Sequence, residues 1–187
     1  MPKLDLTRLD RLKVAGGEVA AIKGAGFDWA RPITVTRAQL DTAIDGGTFA
    51  IVDSGITYTL ADSTFNVDVS GVTDMNSLFS SATTFNGNIN YWNVSNVTRM
   101  PYMFQNATSF NQPLDSWDVS NVTSMFGMFQ NATSFNRPLD SWNVSNATNM
   151  DSMFFSASSF NQPLDSWDVS NVTNMNSMFN DTALTPE

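Results

Sequence analysis

Carboxylates and amides recur along this chain at a fixed step. Asp115, Asp140 and Asp165 stand 25 residues apart, and Asp118, Asn143 and Asp168 keep the same step three positions later, with Ser116, Ser141 and Ser166 between them. Two kinds of chemistry could use such columns. Like charges stacked about 5 Å apart repel unless protonated or bridged, and hard cations such as calcium favour oxygen ligands of this sort. A pair of acids on either side of a sugar could also drive glycoside hydrolysis. Yet the columns lack the Gly-rich, Asp-dense loops of a dedicated calcium cage, and they lie on an open face with no desolvated pocket to split two carboxyl pKa values. The chain has no histidine and no cysteine, which removes the commonest general base, the commonest transition-metal ligand and all thiolate chemistry. The columns therefore read as a solvated acidic face, a candidate binding surface made by Asp115, Asp118, Asp140, Asn143, Asp165 and Asp168. No catalytic group, no metal and no cofactor is expected.

What must position these residues is a repeat. Trp92, Trp117, Trp142 and Trp167 share the 25-residue step, as do Phe79, Phe104, Phe129, Phe154 and Phe179, and Met75, Met100, Met125, Met150 and Met175. A fixed period of this length marks stacked units that bury their apolar faces only against their neighbours. The Trp, Phe and Met columns, with Trp92, Trp117, Trp142, Trp167, Phe104, Phe129 and Phe154 foremost, are then core rather than a ligand cleft. Strands are expected near 64–69, 89–94, 114–119, 139–144 and 164–169, giving five coils and, at about 4.8 Å per stacked strand, a rod of roughly 24 Å. In Leu114-x-x-Trp117-x-Val119 the alternation points Trp117 and Val119 inward and Asp118 outward. Met125, Met128, Phe129 and Ala132 follow at i, i+3, i+4 and i+7, the stripe of a short helix. Asn86, Asn111, Asn136 and Asn161 share one register and suggest a ladder that satisfies backbone groups at the turns. Nine N-x-S/T triplets recur with the coil and read as structural rather than as glycan acceptors.

Charge divides the chain. Residues 1–60 carry seven basic and seven acidic side chains, whereas 61–187 carry only Arg99 and Arg137 against eleven acids, which accounts for the net −9. A body so acidic should repel nucleic acid and anionic membranes. No run reaches the roughly 18 apolar residues that span a bilayer, and the N-terminus lacks the apolar stretch of a secretory signal. Residues 1–60 read as a small α+β adaptor. Leucines at 4, 6, 9 and 12 allow a short helix or an extended arm, and 12–22 resembles a hairpin around Gly16-Gly17. Ile33 to Val35 could be a strand. Thr36-Arg-Ala-Gln39 has capping-box spacing and opens a helix through Ile44. Strands are expected at Thr48 to Val52 and Ile56 to Leu60, covering the first coil, where Val67 stands in the tryptophan slot.

The pattern L-x-x-W-x-V-S-N-V-T-x-M-x-x-M-F-x-x-A-x-x-F-N resembles the BspA-like type of leucine-rich repeat, a 25-residue repeat of bacterial surface proteins. Leu114, Trp117, Val119, Ser120, Asn121, Val122, Thr123, Met125, Met128, Phe129, Ala132, Phe135 and Asn136 carry it here, and the likeness spans residues 61–181. It implies an α/β leucine-rich-repeat solenoid of about five coils at 61–187 behind the adaptor at 1–60, and an adhesin-like role. Such proteins usually carry an export signal and an anchor, which this sequence does not display. The expected function is accordingly non-catalytic display: a component of a phage-like virion (head decoration, cement or tail fibre), assembled in the cytoplasm and docked on a protein scaffold through residues 1–60, with a symmetric oligomer or lattice contact made by the adaptor and the acidic faces held apart. The alternative is a bacterial cell-surface adhesin whose solenoid takes a host-surface ligand.

Overall fold

The computed structural model describes residues 33–45, 48–53, 56–59 and 67–184. The expected arm at 3–13 and hairpin at 12–22 lie outside them, so the adaptor is seen only in part.

The described N-terminal portion begins with β1 (Ile33–Thr34), α1 (Arg37–Ala43), β2 (Ile44–Asp45), β3 (Thr48–Asp53) and β4 (Ile56–Thr59). The capping box forms: Thr36 N–H donates to Gln39 Oε1 at 2.8 Å, and Gln39 N–H to Thr36 Oγ1 at 3.3 Å, which fixes where α1 starts. β2, β3 and β4 make an antiparallel sheet in that order. β1 does something different. It pairs in parallel with β5 (Val67–Asp68), Ile33 opposite Val67 and Thr34 opposite Asp68.

From residue 67 onward each 25-residue unit is bonded to the next. The N–H groups of Met125, Gly127, Phe129 and Asn131 donate to the carbonyls of Asn149, Asp151, Met153 and Phe155 at 2.8–2.9 Å. The N–H groups between them turn back on their own unit, as in Met128 to Met125, Gln130 to Gly127 and Ala132 to Phe129. This alternation recurs at 75–82, 100–107 and 150–157. The helix expected over Met125 to Ala132 is therefore not formed. An α-helix consumes its N–H groups internally, whereas here every second one is spent on the neighbouring unit. Left-handed residues make this possible: Gly127 and Asn131 have φ of 57° and 56°, and the same two slots are positive in the other units, as at Tyr102, Asn106, Ser152 and Ser156. Each such non-glycine residue costs about 1 kcal/mol or more, and each turns a donor toward a partner that would otherwise lack one.

The strands expected at 89–94, 114–119, 139–144 and 164–169 are likewise absent. Those stretches run through tight turns, with Trp117 N–H donating to Leu114 O and Val122 N–H to Val119 O. Parallel pairing falls later, as bridges from Asp74 to Arg99, Ser124, Asn149 and Asn174 in succession. The inward and outward assignments survive this shift, because turn residues alternate too: Trp117 and Val119 are buried and Asp118 is exposed.

One apolar core runs through the units, and it contains no buried polar or charged residue among those described. Phe79, Phe104, Phe129, Phe154 and Phe179 stack with centroids 5.3–5.9 Å apart and planes within 7°. Within a unit the two phenylalanines lie closer still, at 4.1 Å for Phe129 and Phe135. Burying each of these rings except Phe179 is worth about 1.5–3 kcal/mol before any stacking term.

Candidate binding surface

The six candidate residues sit where the repeat puts them. Asp115, Asp118, Asn143, Asp165 and Asp168 are exposed and Asp140 is half-buried. They do not simply face one another. Asp118 and Asp168 each close a turn of their own, accepting from the N–H of Ser120 and Ser170 at 3.0 Å. Asn143 makes the same turn with Ser145, and Asn93 with Ser95. Because Ser120 and Ser170 donate through both side chain and backbone, the Asp118 and Asp168 carboxyls are held below the usual carboxylate range. The other column is bonded across units: Asp140 accepts from Ser166 N–H and Oγ at 2.9 Å each, and Asp115 Oδ1 accepts from Asn90 Nδ2. Serine and amide donors thus separate the carboxylates, and the repulsion expected of a bare column is largely answered within the fold. Among the described residues no group of three acidic side chains is gathered closely enough to hold a metal ion.

Polar ladders run along the same units. Asn111, Asn136 and Asn161 donate their N–H to the Oδ1 of Asn86, Asn111 and Asn136 respectively, as the shared register suggests. Asn96, Asn121, Asn146 and Asn171 donate Nδ2 to the carbonyls of Ser70, Ser95, Ser120 and Ser145. Those four are the asparagines of N-x-T triplets, and the amide nitrogen a glycan would need is already tying one unit to the one before. The indole N–H groups of Trp117, Trp142 and Trp167 reach back to Ile89, Leu114 and Leu139 carbonyls.

The two ends of the array differ. At the start, Arg37 donates Nη1 to the Asp74 carbonyl at 2.8 Å and Nη2 to that of Asn76 at 2.6 Å. These are the acceptors a preceding unit would have filled. Asp41 holds the guanidinium in place from the next turn of α1 at 2.7 Å. The cover was expected from strands at 48–60. The cover that the described residues show comes from β1, Val35, whose N–H donates to Asp68, and Arg37. At the far end Val169, Met175 and Phe179 are 39–40% exposed. Leu184 packs against the core there, yet it leaves Phe179 open. The signal for the cap was a lone arginine at the first helical position, which no periodicity singles out.

Comparison with known proteins gives one result. The model of the family described as "Mycoplasma protein of unknown function, DUF285" matches residues 54–154 and again 133–185. Neither the curated proteins nor the solved structures compared with the chain contain a match.

Proposed function

We propose, from the premise that this chain belongs to the DUF285 family, that it is a non-catalytic display protein. Its units form a solenoid of the BspA-like leucine-rich type in which a run of turns takes the place of the usual helix. The observation that carries the proposal is the division of labour between side chains: the apolar columns are spent on one continuous core, and the polar columns on bonds between units. A framework so committed presents a fixed surface and does not rearrange around a reaction.

On this proposal residues 1–60 attach the protein to a protein scaffold and the acidic solenoid faces outward, with no role for nucleic acid or membrane insertion. A phage-like virion is one setting. A bacterial cell surface is the other, and the likeness to BspA-like repeats favours it. Because β1 and α1 cover the first unit, the attachment test removes residues 1–32 only. Light scattering should then give an oligomer for the full chain and a monomer for the truncated one, with circular dichroism unchanged. Equal masses would place the assembly contact outside residues 1–32.

A further inference from the structure

The unit at 86–107 breaks the repeat at one place on its outer face. Where the next three units carry proline, aspartate and serine (Pro113, Asp115 and Ser116, and their counterparts), it has Asn88, Asn90 and Tyr91. Asn93 stands in the slot of Asp118 and Asp168, which Asn143 also fills with an amide. Substitutions that leave the core pattern intact but change one patch of surface need a reason other than folding. Here they put amides in place of a proline and an aspartate and add one aromatic ring.

The patch is concave. Asn88, Asn90, Tyr91, Trp92, Asn93 and Ser116 line a shallow groove of about 500 Å³ that is largely open to solvent, as large as the sites of about 300–1,000 Å³ that take small molecules but less enclosed. Tyr91 is 40% exposed, and the other large apolar side chains so exposed among the described residues, Val169, Met175 and Phe179, all lie at the far end of the array. The exposure of Tyr91 is therefore not shared with the open far end. The ring leans toward the preceding unit: burial raises its phenol above the ordinary value, and hydrogen bonding from the Trp92 side chain and the Val67 backbone opposes this.

The floor is fixed. Asn90 donates Nδ2 to Asp115 Oδ1 and Ser116 Oγ, at 2.9 and 3.1 Å, and accepts from Ser116 N–H at 3.0 Å. Asn88 and Asn93 are used at one atom each: Oδ1 of Asn88 accepts from Asn90 N–H, and Oδ1 of Asn93 from Ser95 N–H and Oγ. Their Nδ2 groups have no partner among the described residues. The site thus offers an aromatic face, two amide donors, and no cationic side chain. An anion would find no counter-charge among the lining residues, and a cation would find Asn90 where the next three units have aspartate. A neutral ligand with hydroxyls around an apolar ring face fits both the ring and the donors.

We propose that this groove binds a neutral carbohydrate, one pyranose ring stacking on Tyr91 while Nδ2 of Asn88 and Asn93 donate to its hydroxyls. The site stands on its own whether or not residues 1–32 mediate attachment, since none of its residues belongs to that segment. The test is a titration of the full chain with a panel of neutral oligosaccharides (maltose, cellobiose, lactose and chitobiose, with longer homologues), followed through the side-chain amide signals of Asn88 and Asn93. At least one sugar should shift both saturably. Tyr91→Ser, which restores the residue of the other units and should keep the native circular dichroism spectrum, should weaken binding by about tenfold or more. Tyr91→Phe, which keeps the ring, should bind within about threefold of the parent. If no sugar in the panel moves these signals, or binding survives Tyr91→Ser, or an unglycosylated peptide library selects this groove instead, the proposal is overturned.

Discussion

Trp142 is 2% exposed, stacks 6.4 Å from Trp117, and donates its indole N–H to the Leu114 carbonyl at 2.9 Å. Trp142→Ala should therefore cost about 3–5 kcal/mol, since it opens a cavity mid-array and removes one of the two hydrogen bonds to a buried carbonyl. Asp140→Asn should stay within about 0.5 kcal/mol, because an amide keeps one acceptor toward Ser166 and can donate with the other atom. Denaturant melts of the two variants give the comparison. Should Asp140→Asn prove the costlier, the inward and outward assignment fails. Asp118 has a pH signature as well. Its carboxyl is held below the usual range by the Ser120 bonds, so the stabilisation is present above the unfolded-state pKa and is lost as pH falls through the folded one. Asp118→Asn copies what Asn93 and Asn143 already do. It should leave stability near pH 7 unchanged and flatten the acid limb in melts taken down to about pH 3. An unchanged acid limb would show that the turn contributes nothing there.

At the scale of elements, the cap made by α1 is the most exposed to a single change. Arg37→Ala removes both donors from the Asp74 and Asn76 carbonyls and should cost about 1–3 kcal/mol, with faster hydrogen exchange confined to the first unit. Arg37→Lys should recover only part, because a point charge cannot reproduce the fork. A loss spread evenly over all units would mean that Arg37 is not acting as an end cap. The same elements show what the sequence made legible. The 25-residue period, the inward columns, the asparagine ladder and the capping box could all be read, because each depends on residue type at a fixed spacing. The helix and the strands were misplaced. Apolar residues at i, i+3, i+4 and i+7 suit a helix, but they suit equally a chain of tight turns with two left-handed residues per unit. The discriminating sign lay at the polar slots between them, where Ser77, Asn106, Gly127, Asn131 and Ser156 are mostly types that tolerate positive φ or turns. Tyr102 in one such slot obscured it. The neutral patch at Asn88 to Asn93 was also visible as a break in the repeat, but its concavity depends on how the units stack.

At the scale of the whole array, the hydrogen bonds have a direction. In every junction the N–H groups at alternate positions point from the earlier unit to the later one, as from Phe79 to Met103, Phe104 to Met128, Phe129 to Met153 and Phe154 to Met178. A backbone bond from Thr98, Thr123, Thr148 or Thr173 runs the other way in each, joined in the last junction by bonds from Asn174 and Ala183. The aligned peptide dipoles add along the stack much as they do in a helix, which leaves carbonyls at the start and N–H groups at the end. A guanidinium sits at the carbonyl end, where its charge belongs. Two far ends brought face to face would set donors against donors, so the polarity itself disfavours pairing of that surface with its own copy.

The central claim is that units are joined by alternate N–H groups directed at the next unit rather than by helices closed on themselves. Residue-resolved amide hydrogen exchange tests it most directly. The account predicts that Met125, Gly127, Phe129 and Asn131 are as protected as the intervening amides of Met128, Gln130 and Ala132, and that protection fades only at Met175, Ser177, Phe179 and Asp181, where no later unit lies within the described residues. Rapid exchange at Gly127 and Asn131 beside slow exchange at their neighbours would contradict it, since those two N–H groups have no other partner to protect them.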